Sequence, residues 1–347
     1  MTGYNRIDEV YEREKQCTLP IGECFEIHNE LGICLIDIVN YSTWCMRRKP
    51  EEIYFTMTMY NTMLTELLKR YQGVEKIEMV GDSVMIVSGI SDAPGDCIDN
   101  LVMFCFELLE RINEIKRIFD DNHISIRVGV HLGNICIGMT HSPRSYRIFG
   151  SDVNVASRLE STSLSGAVHV SERCVKRITQ STLLKHRIEI GKLTGTKLKG
   201  IGYLDTAFLF QKKTNEVLVC DDESITCKCI QRLIEKNTSY KTKLWTKLDS
   251  IVNDMYKSVY SLIILDRFYG EKDIVPIIRE FRTWESNHRN ETQSILMISA
   301  YGSEPDDDLM VRQFIVKGAD FYNKLLKAIE MGVVNGNDHE KNALVFV

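Results

Sequence analysis

Two acidic side chains in the first half of the chain are placed where a divalent cation could bind. Asp37 follows the apolar run GICLI, and Asp82 lies in the predicted two-residue hairpin turn Gly81-Asp82 between VEKIEMV and SVMIVSG. If the hairpin lies beside the first strand, the two carboxylates converge, and Mg²⁺ prefers a few carboxylates together with phosphate oxygens. Taken singly, each acid is more simply a cap or turn residue, because turns favour Asp.

Glu78 lies in the same apolar stretch, four residues before Asp82. A buried acid is costly unless it is paired, so Glu78 also needs a partner. Further along the chain, Asn154 and Arg158 are four residues apart and would share one helix face. For an isolated pair of this kind, the simpler interpretation is a solvent-facing Asn and an Arg paired with Glu160 or another neighbour.

Both β-strands and α-helices must position these residues. In the first half, hydrophobic periodicity predicts a strand over GICLIDI, a helix over EEIYFTMTMYNTMLTELLKR and a second helix over CIDNLVMFCFELLERINEI. ISIRVGVH and NICIGMT are predicted to form another hairpin, and SDVNVASRLEST a third helix with Ser151 or Asp152 as its N-cap. This half is therefore predicted to be mixed α and β.

The second half alternates more strictly between strands and helices. EVLVCDD, SLIILD and SILMISA are predicted strands, and SITCKCIQRLIEK, DIVPIIREF and DLMVRQFIVKGA are predicted helices. This alternation indicates a parallel sheet with helices on both faces, whose site lies at the carboxyl ends of the strands.

The polar, lysine-rich stretch FQKKTNEV, residues 210–217, divides the two halves. The expected organisation is an N-terminal extension (1–25), a first domain (26–212), a second domain (214–335) and a C-terminal tail (336–347), with domain sizes in the usual range.

Composition excludes several classes of function. The 347 residues carry a net charge of −5 and show no basic stripe, which argues against a nucleic-acid partner. The 11 cysteines are scattered singly, as is usual for reduced, intracellular proteins. No signal peptide and no membrane-spanning apolar run are evident, so we expect a cytoplasmic protein without direct membrane insertion.

Five motifs occur in order: LIDIVNYST, VEKIEMVGDSVMIVSG, IRVGVHLGNICIG, YRIFGSDVNVASRLES and KLKGIG. Together they resemble the catalytic domain of class III nucleotidyl cyclases over nearly all of residues 30–210. The resemblance implies a ferredoxin-like α/β domain that acts as a homodimer with sites at the interface. It also implies two Mg²⁺ or Mn²⁺ ions per site, held by Asp37, Asp82 and the carbonyl of Ile38, since two metals suit attack of the ribose 3′-hydroxyl on the α-phosphorus.

The same resemblance assigns roles to residues outside the metal site. Asn154 would orient the ribose, Arg158 would stabilise charge on the phosphorus, and Arg127 and Lys199 would bind phosphates. The alternative without a catalytic role is that Arg127 is an exposed arginine on a strand and that Lys199 is a solvated lysine in a loop. One protomer would supply Asp37, Asp82 and Arg127, and its partner the remaining site residues.

Glu78 and Arg147 match the base-reading positions of the family. A carboxylate accepts from both donors on one edge of guanine, whereas adenine offers a lone pair there. Arg147 departs from the usual residues but can donate to the guanine carbonyl oxygen. We therefore expect a guanylate cyclase that uses GTP. The alternatives are an adenylate cyclase that uses ATP and a non-catalytic signalling scaffold in which Arg147 simply pairs with Glu78.

The second half resembles a response-regulator receiver domain, a flavodoxin-like (βα)5 fold, through VLVCDDE, LIILD, MISA and ADFYNKLL. The resemblance implies that Asp221, Asp222 and Asp266 bind one Mg²⁺ or Mn²⁺, since three clustered carboxylates need a cation. Asp266 would accept phosphate from a histidine kinase or phosphotransfer protein, with Ser299 and Lys324 as switch residues. Leu325 stands where proline usually follows the lysine, which leaves a degenerate receiver as the alternative.

Overall fold

The computed structural model divides the chain into two compact units. The first comprises residues up to 186 together with 193–209, and the second comprises 187–192 together with residues from 210 onward. The structure describes residues 25–90, 97–118, 124–141, 144–300, 309–311 and 313–334. The proposed terminal extension (1–25) therefore lies almost entirely outside the described residues, and the proposed tail (336–347) lies wholly outside them.

The first unit is built on a mostly antiparallel sheet with the strand order β2-β3-β1-β4-β6-β9. Strand β5 pairs with β4, strand β8 pairs with β9, and the only parallel neighbours among these strands are β4 and β6. The strands are β1 (Phe25–Ile38), β2 (Val74–Val80), β3 (Ser83–Ser88), β4 (Ile126–His141), β5 (Arg144–Phe149), β6 (Val168–Ser171), β8 (Thr194–Leu198) and β9 (Gly202–Cys220).

The sequence predicts three of the five α-helices that the structure describes in this unit, those over 50–68, 97–118 and 151–161. The five helices are α1 (Tyr41–Cys45), α2 (Pro50–Leu68), α3 (Cys97–Ile118), α4 (Ser151–Ser161) and α5 (Glu172–Gln180). Helix α2 begins with Pro50, which suits a first turn because its missing N–H has no helical partner there. Its buried face includes Tyr60, Leu64 and Leu67, as the spacing predicts, whereas Ile53 is only half-buried.

Two local predictions for the first unit are wrong. Residues 126–141 form one continuous strand rather than a hairpin, because β1 pairs along nearly its whole length. Helix α4 has Gly150 rather than Ser151 or Asp152 as its N-cap. The Asp152 carboxylate instead accepts the backbone N–H of Asn134 at 2.7 Å, and so ties the first turn of α4 to β4.

Helix α4 approaches β4 so closely that only glycine fits between them. A Cβ atom on Gly129 would lie 2.1 Å from the backbone nitrogen of Glu160 and 2.5 Å from the carbonyl oxygen of Ala156. A missing side chain in a strand often marks such a close approach of another backbone. The consequence is that the last turn of α4 lies directly over the beginning of β4.

The second unit contains a parallel sheet with the order β10-β9-β11-β14-β15, to which β9 contributes its second half. The short strand β7 (Ile188–Ile190) also pairs with β9. The remaining strands are β10 (Lys241–Trp245), β11 (Ser258–Asp266), β12 (Phe268–Tyr269), β13 (Lys272–Asp273), β14 (Ile295–Ser299) and β15 (Gln313–Val316). When these five parallel strands are numbered in chain order, their order across the sheet is therefore 2-1-3-4-5.

Helices cover both faces of this sheet, as predicted from the alternation of elements. They are α6 (Ser224–Asn237), α7 (Leu248–Lys257), α8 (Val275–His288) and α9 (Phe321–Val334). Val217 and Val219 of β9 pack with residues of α6 and α9, while Leu218 and Cys220 pack with residues of α7 and α8. This alternation follows from the two-residue period of a strand.

The predicted helix over DLMVRQFIVKGA is wrong, because its residues 313–316 form strand β15. The short apolar run QFIV pairs in parallel with β14, and β-branched residues favour such a buried strand. The last helix, α9, begins only at Phe321. Among the described residues, no helix combines the length and the apolar character that crossing a bilayer requires.

A buried histidine in β6 makes the stability of the first unit sensitive to pH. The ring of His169 stacks on Phe208 at 4.5 Å between centroids, and its Nδ1 lies 3.0 Å from the carbonyl oxygen of Leu159. Burial lowers the pKa of His169 to about 4. Because the unfolded chain binds a proton near pH 6.5 and the folded chain does not, stability is lost as the pH falls from about 6.5 to about 4.

We expect this loss to reach about 3 kcal/mol, because the pKa falls by about 2.5 units. Urea unfolding of the wild type and of His169→Gln, followed across this pH range, measures it. The variant should show the shallower decline because Gln does not titrate. If the free energies of unfolding of the two proteins fell in parallel as the pH falls, His169 would not be the group responsible.

Candidate functional site

The first candidate site lies at the end of β1. Asp37 is the last residue but one of this strand, and Asp82 lies in the turn between β2 and β3. Because β3 pairs antiparallel with β1, this turn is brought to the end of β1, where Asp82 Oδ2 accepts the backbone N–H of Ile38 at 3.3 Å. Burial and the negative charge of Asp37 raise the pKa of Asp82 to about 6.

These two carboxylates fit a divalent cation. A raised pKa in a carboxyl next to another carboxylate means that the ionised pair is destabilised without a positive partner. A hard cation that accepts oxygen ligands would relieve this repulsion. The hairpin that the sequence predicts therefore does bring Asp37 and Asp82 together.

An ion-pair chain connects Asp37 to helix α4. Asp37 lies directly opposite Arg127 on β4, and Arg127 Nη2 donates to Asp37 Oδ2 at 2.9 Å. The Nε atom of the same guanidinium lies 3.0 Å from Glu160 Oε1. Burial raises the pKa of Glu160, and the charge of Arg127 opposes that rise. Arg127 is thus held between two carboxylates rather than exposed on its strand.

Sequence reasoning missed the part that Glu160 plays. Its position on the helix predicts only a pairing with Arg158, yet Glu160 is almost completely buried and faces β4. The signal that could have located it is Gly129, two residues after Arg127, because a glycine in a strand suggests a close approach of another element.

Asn154 and Arg158 share α4 with Glu160, and Asn154 is exposed. The Nε atom of Arg158 donates to the carbonyl oxygen of Lys199 at 3.0 Å, in the turn after β8. Arg158 and Lys199 are thereby brought together. Within the described residues, neither Asn154 nor Arg158 bonds to Asp37 or Asp82.

Glu78 on β2 and Arg147 on β5 form an ion pair in which both side chains are partly exposed. Arg147 thus supplies the partner that an acid in an apolar stretch needs. The pairing is compatible with both interpretations of these positions, a base-reading pair and an idle ion pair.

The second candidate site lies at the carboxyl ends of the parallel strands in the other unit. Ligand oxygens of Asp221, Asp222 and Asp266 all lie within 4.8 Å of one another, so the three carboxylates fit one divalent cation. Burial raises the pKa of Asp266. The backbone N–H of Gly270 donates to Asp222 Oδ2 at 2.7 Å.

A lysine that sequence reasoning missed joins two of these acids. Lys317 Nζ donates to Asp221 Oδ2 and to Asp266 Oδ2, each at 2.7 Å. Burial lowers the pKa of Lys317, but its hydrogen bonds to these two carboxylates outweigh burial and raise it overall.

The resemblance to a receiver implies that Lys324 is a switch residue. Lys324 lies on α9 and is exposed, whereas Lys317 directly follows β15 at the carboxyl edge of the sheet. Ser299 is the last residue of β14 and is buried.

A family model described as the adenylate and guanylate cyclase catalytic domain matches residues 24–211. A germination-specific adenylate cyclase of Dictyostelium discoideum is 28% identical over 63% of this chain and 26% of its own length. Guanylate cyclase 32E of Drosophila melanogaster is 31% identical over 56% of this chain and 16% of its own length.

Among solved structures, the guanylate cyclase domain of RhGC from Catenaria anguillulae in complex with GTP is 25% identical, with a TM-score of 0.48, over 54% of this chain and 98% of that domain. The chain spans only 26% to 40% of the length of the first curated relatives that it matches.

The ion-pair chain through Arg127 predicts that Glu160 controls how tightly Asp37 is held. In Glu160→Gln, Asp37 becomes the only carboxylate that pairs with Arg127 among the described residues, and it becomes less available to a cation. We expect Mn²⁺ binding, measured by electron paramagnetic resonance, to weaken roughly threefold to tenfold, about 1 kcal/mol.

Glu66→Gln, at an exposed position on α2, serves as the matched control and should leave Mn²⁺ affinity unchanged. Equal affinities for the wild type and Glu160→Gln would show that Glu160 has no influence on the acids.

Proposed function

Because this chain belongs to the family of adenylate and guanylate cyclase catalytic domains, we propose that its first domain, residues 26–212, converts GTP to cyclic GMP and pyrophosphate. The observation that carries the proposal is the convergence of Asp37 and Asp82 at the backbone of Ile38, next to Arg127. A binding scaffold would have no use for two adjacent carboxylates whose ionised forms repel each other.

Asp37, Asp82 and the carbonyl of Ile38 would hold two Mg²⁺ or Mn²⁺ ions. When bound, such ions lower the pKa of the attacking 3′-hydroxyl and neutralise charge on the leaving pyrophosphate. Arg127 would bind phosphate oxygens from the same side, and Glu160 keeps its guanidinium in place.

The partner protomer of a homodimer would supply three further side chains to the site: Asn154, Arg158 and Lys199. Asn154 is exposed and able to orient a ribose, while the Nη atoms of Arg158 can bind the α-phosphate as its Nε bonds to the Lys199 carbonyl. Preorganised donors of this kind contribute a few kcal/mol each to transition-state stabilisation. The dimer would carry two equivalent sites related by a two-fold axis.

The preference for GTP is proposed from Glu78 and Arg147. The Glu78 carboxylate can accept from the ring N–H and amino group of guanine, and Arg147 can donate to its carbonyl oxygen. Relatives named adenylate cyclase and relatives named guanylate cyclase are about equally similar to this chain, so the choice between GTP and ATP rests on these two side chains.

Replacing Glu78 by Lys should therefore remove the preference for GTP. We expect the ratio of kcat/KM for GTP over ATP to fall at least tenfold, because the site would then repel the guanine donors. Parallel turnover assays with both nucleotides measure this ratio, and Glu66→Lys on α2 is the matched control.

An unchanged nucleotide preference in Glu78→Lys would remove the base-reading proposal and favour the adenylate cyclase alternative if ATP is the better substrate. If neither nucleotide is turned over with Mg²⁺ or Mn²⁺, the scaffold alternative, in which Glu78 and Arg147 form an idle pair, is favoured instead.

We further propose that residues 214–335 act as a receiver that regulates the cyclase. Support comes from the strand order, which is that of flavodoxin-like folds, and from acids at the carboxyl ends of its strands. Asp221, Asp222 and Asp266 would hold one divalent ion, and Asp266 would accept phosphate from a histidine kinase or phosphotransfer protein. Lys317 would pair with the phosphoryl group, and Ser299 would be the switch hydroxyl.

This assignment predicts different effects for the two lysines near the end of the chain. Lys317→Ala should reduce phosphorylation by acetyl phosphate at least tenfold, because an ammonium that bonds to Asp266 is lost. Lys324→Ala should leave it unchanged, and Asp266→Asn should abolish it. Incorporation of labelled phosphate into the full chain measures all three, and equal labelling of both lysine variants would contradict the role of Lys317.

A further inference from the structure

A cavity of about 580 Å³ in the first unit lies away from the acids at the end of β1. It opens between α5 and the middle of β1 and β4, and Glu30 in its wall precedes Asp37 by seven residues. At the rise of an extended strand, this separation is roughly 20 Å. The cavity is therefore distinct from the site at Asp37 and Asp82 that would hold the divalent metal ions.

Three positively charged side chains line this cavity. Arg173, Lys176 and Arg177 occupy positions i, i+3 and i+4 of α5, so their side chains leave the same helix face. Among the described residues that line the cavity, Glu30 is the only acid. This concentration of positive charge is notable in a chain whose net charge is −5, and it selects for an anion.

The ion pairs of Arg173 and Lys176 are weak enough to be exchanged. Arg173 Nη1 lies 3.7 Å from Asp152 Oδ2, beyond hydrogen-bond distance. Lys176 Nζ pairs with Glu172 at 2.7 Å, but the lysine is largely exposed, and surface pairs of this kind contribute little stability. An incoming anion with several oxygens could therefore bind both side chains.

The opposite wall is held in a strained conformation. The pairing of β1 with β4 is interrupted between His28 and Leu31, and Glu30 has φ 54°, which is rare for a residue other than glycine. Its backbone N–H donates to Asn134 Oδ1 at 3.0 Å, which fixes this conformation. Strain that the surroundings hold in place is often found at ligand sites.

We propose that this cavity binds a diphosphate or triphosphate group. Cβ atoms at these helical spacings lie about 5–6 Å apart, so three cations outline a longer anion than a single phosphate. Arginine forks match phosphate oxygens, and the amides of Asn134 and Gln180 in the lining add polar contacts.

The cavity also adjoins the N-terminus of the proposed catalytic helix. Asp152 in the first turn of α4 accepts from the Asn134 backbone, lies 3.5 Å from His131 Nε2 and lies 3.7 Å from Arg173 Nη1. An anion that draws Arg173 away would change the charge balance two residues before Asn154. We infer an effect on turnover, a consequence that rests on the proposed cyclase function, whereas binding itself does not.

Pyrophosphate binding without divalent cations tests the proposal. Isothermal titration calorimetry with Asp82→Asn/Arg158→Ala, in which the cyclase site is disabled, should detect pyrophosphate and triphosphate binding. Adding Arg173→Ala and Arg177→Ala should weaken this binding at least tenfold, whereas adding Lys185→Ala, at an exposed position outside the cavity, should not. Inorganic phosphate should bind more weakly than pyrophosphate in each arm.

Several outcomes would overturn the proposal: no binding to the disabled-site protein, equal affinity after the two arginine changes, or equal affinity for phosphate and pyrophosphate. Circular dichroism of each variant confirms that it is folded. A chain that makes no cyclic nucleotide but binds pyrophosphate through Arg173 and Arg177 would refute the cyclase proposal and leave this one standing.

Discussion

Carboxylates that face one another at strand ends must be compensated by positive charge or by N–H donors, and this electrostatic constraint shapes both units. In the first unit, Asp82 receives a backbone N–H and Asp37 receives the Arg127 guanidinium. In the second, Lys317 joins Asp221 to Asp266, and the Gly270 N–H binds Asp222. In the second unit, ligand oxygens of Asp221, Asp222 and Asp266 still lie within 4.8 Å of one another, so they can hold a divalent cation.

The compensation in the first unit depends on backbone packing as much as on charge. Arg127 can pair with Glu160 only because α4 lies against β4 at Gly129, where a side chain would collide with the helix backbone. A similar restriction exists at Gly133, where a Cβ atom would lie 2.4 Å from the Asp152 side chain. Two glycines along β4 thus fix α4 at both of its ends, and with it the spacing of Asn154, Arg158 and Glu160.

The Glu78–Arg147 pair limits how a nucleobase could bind. Both side chains are partly exposed, so the ion pair is screened by water and can open at low cost. A guanine base would offer donors to the carboxylate and an acceptor to the guanidinium, and so would replace the interaction that each side chain loses. An adenine base would leave the carboxylate facing a lone pair. If the proposed function holds, nucleotide choice would depend on how well these two side chains match the donors and acceptors of the base.

Elements whose apolar period is long and regular can be predicted from the sequence alone. Helices α2 and α3, strand β1 and the hairpin of β2 and β3 follow from spacing and turn residues, but Asp37 and Asp82 meet only because the hairpin pairs with β1. The parallel sheet with helices on both faces of the second unit likewise follows from the alternation of apolar runs.

Tertiary structure decided what depends on long-range pairing. Residues 126–141 look like a hairpin because Gly133 and Asn134 interrupt their apolar pattern, and only the pairing with β1 makes them one strand. Residues 313–316 are too short to distinguish strand from helix by period, and only β14 makes them a strand, which brings Lys317 to the carboxyl edge beside Asp266. Glu160 reaches Arg127 across 33 residues of chain, because two backbones meet at a glycine, and no local pattern encodes such a contact.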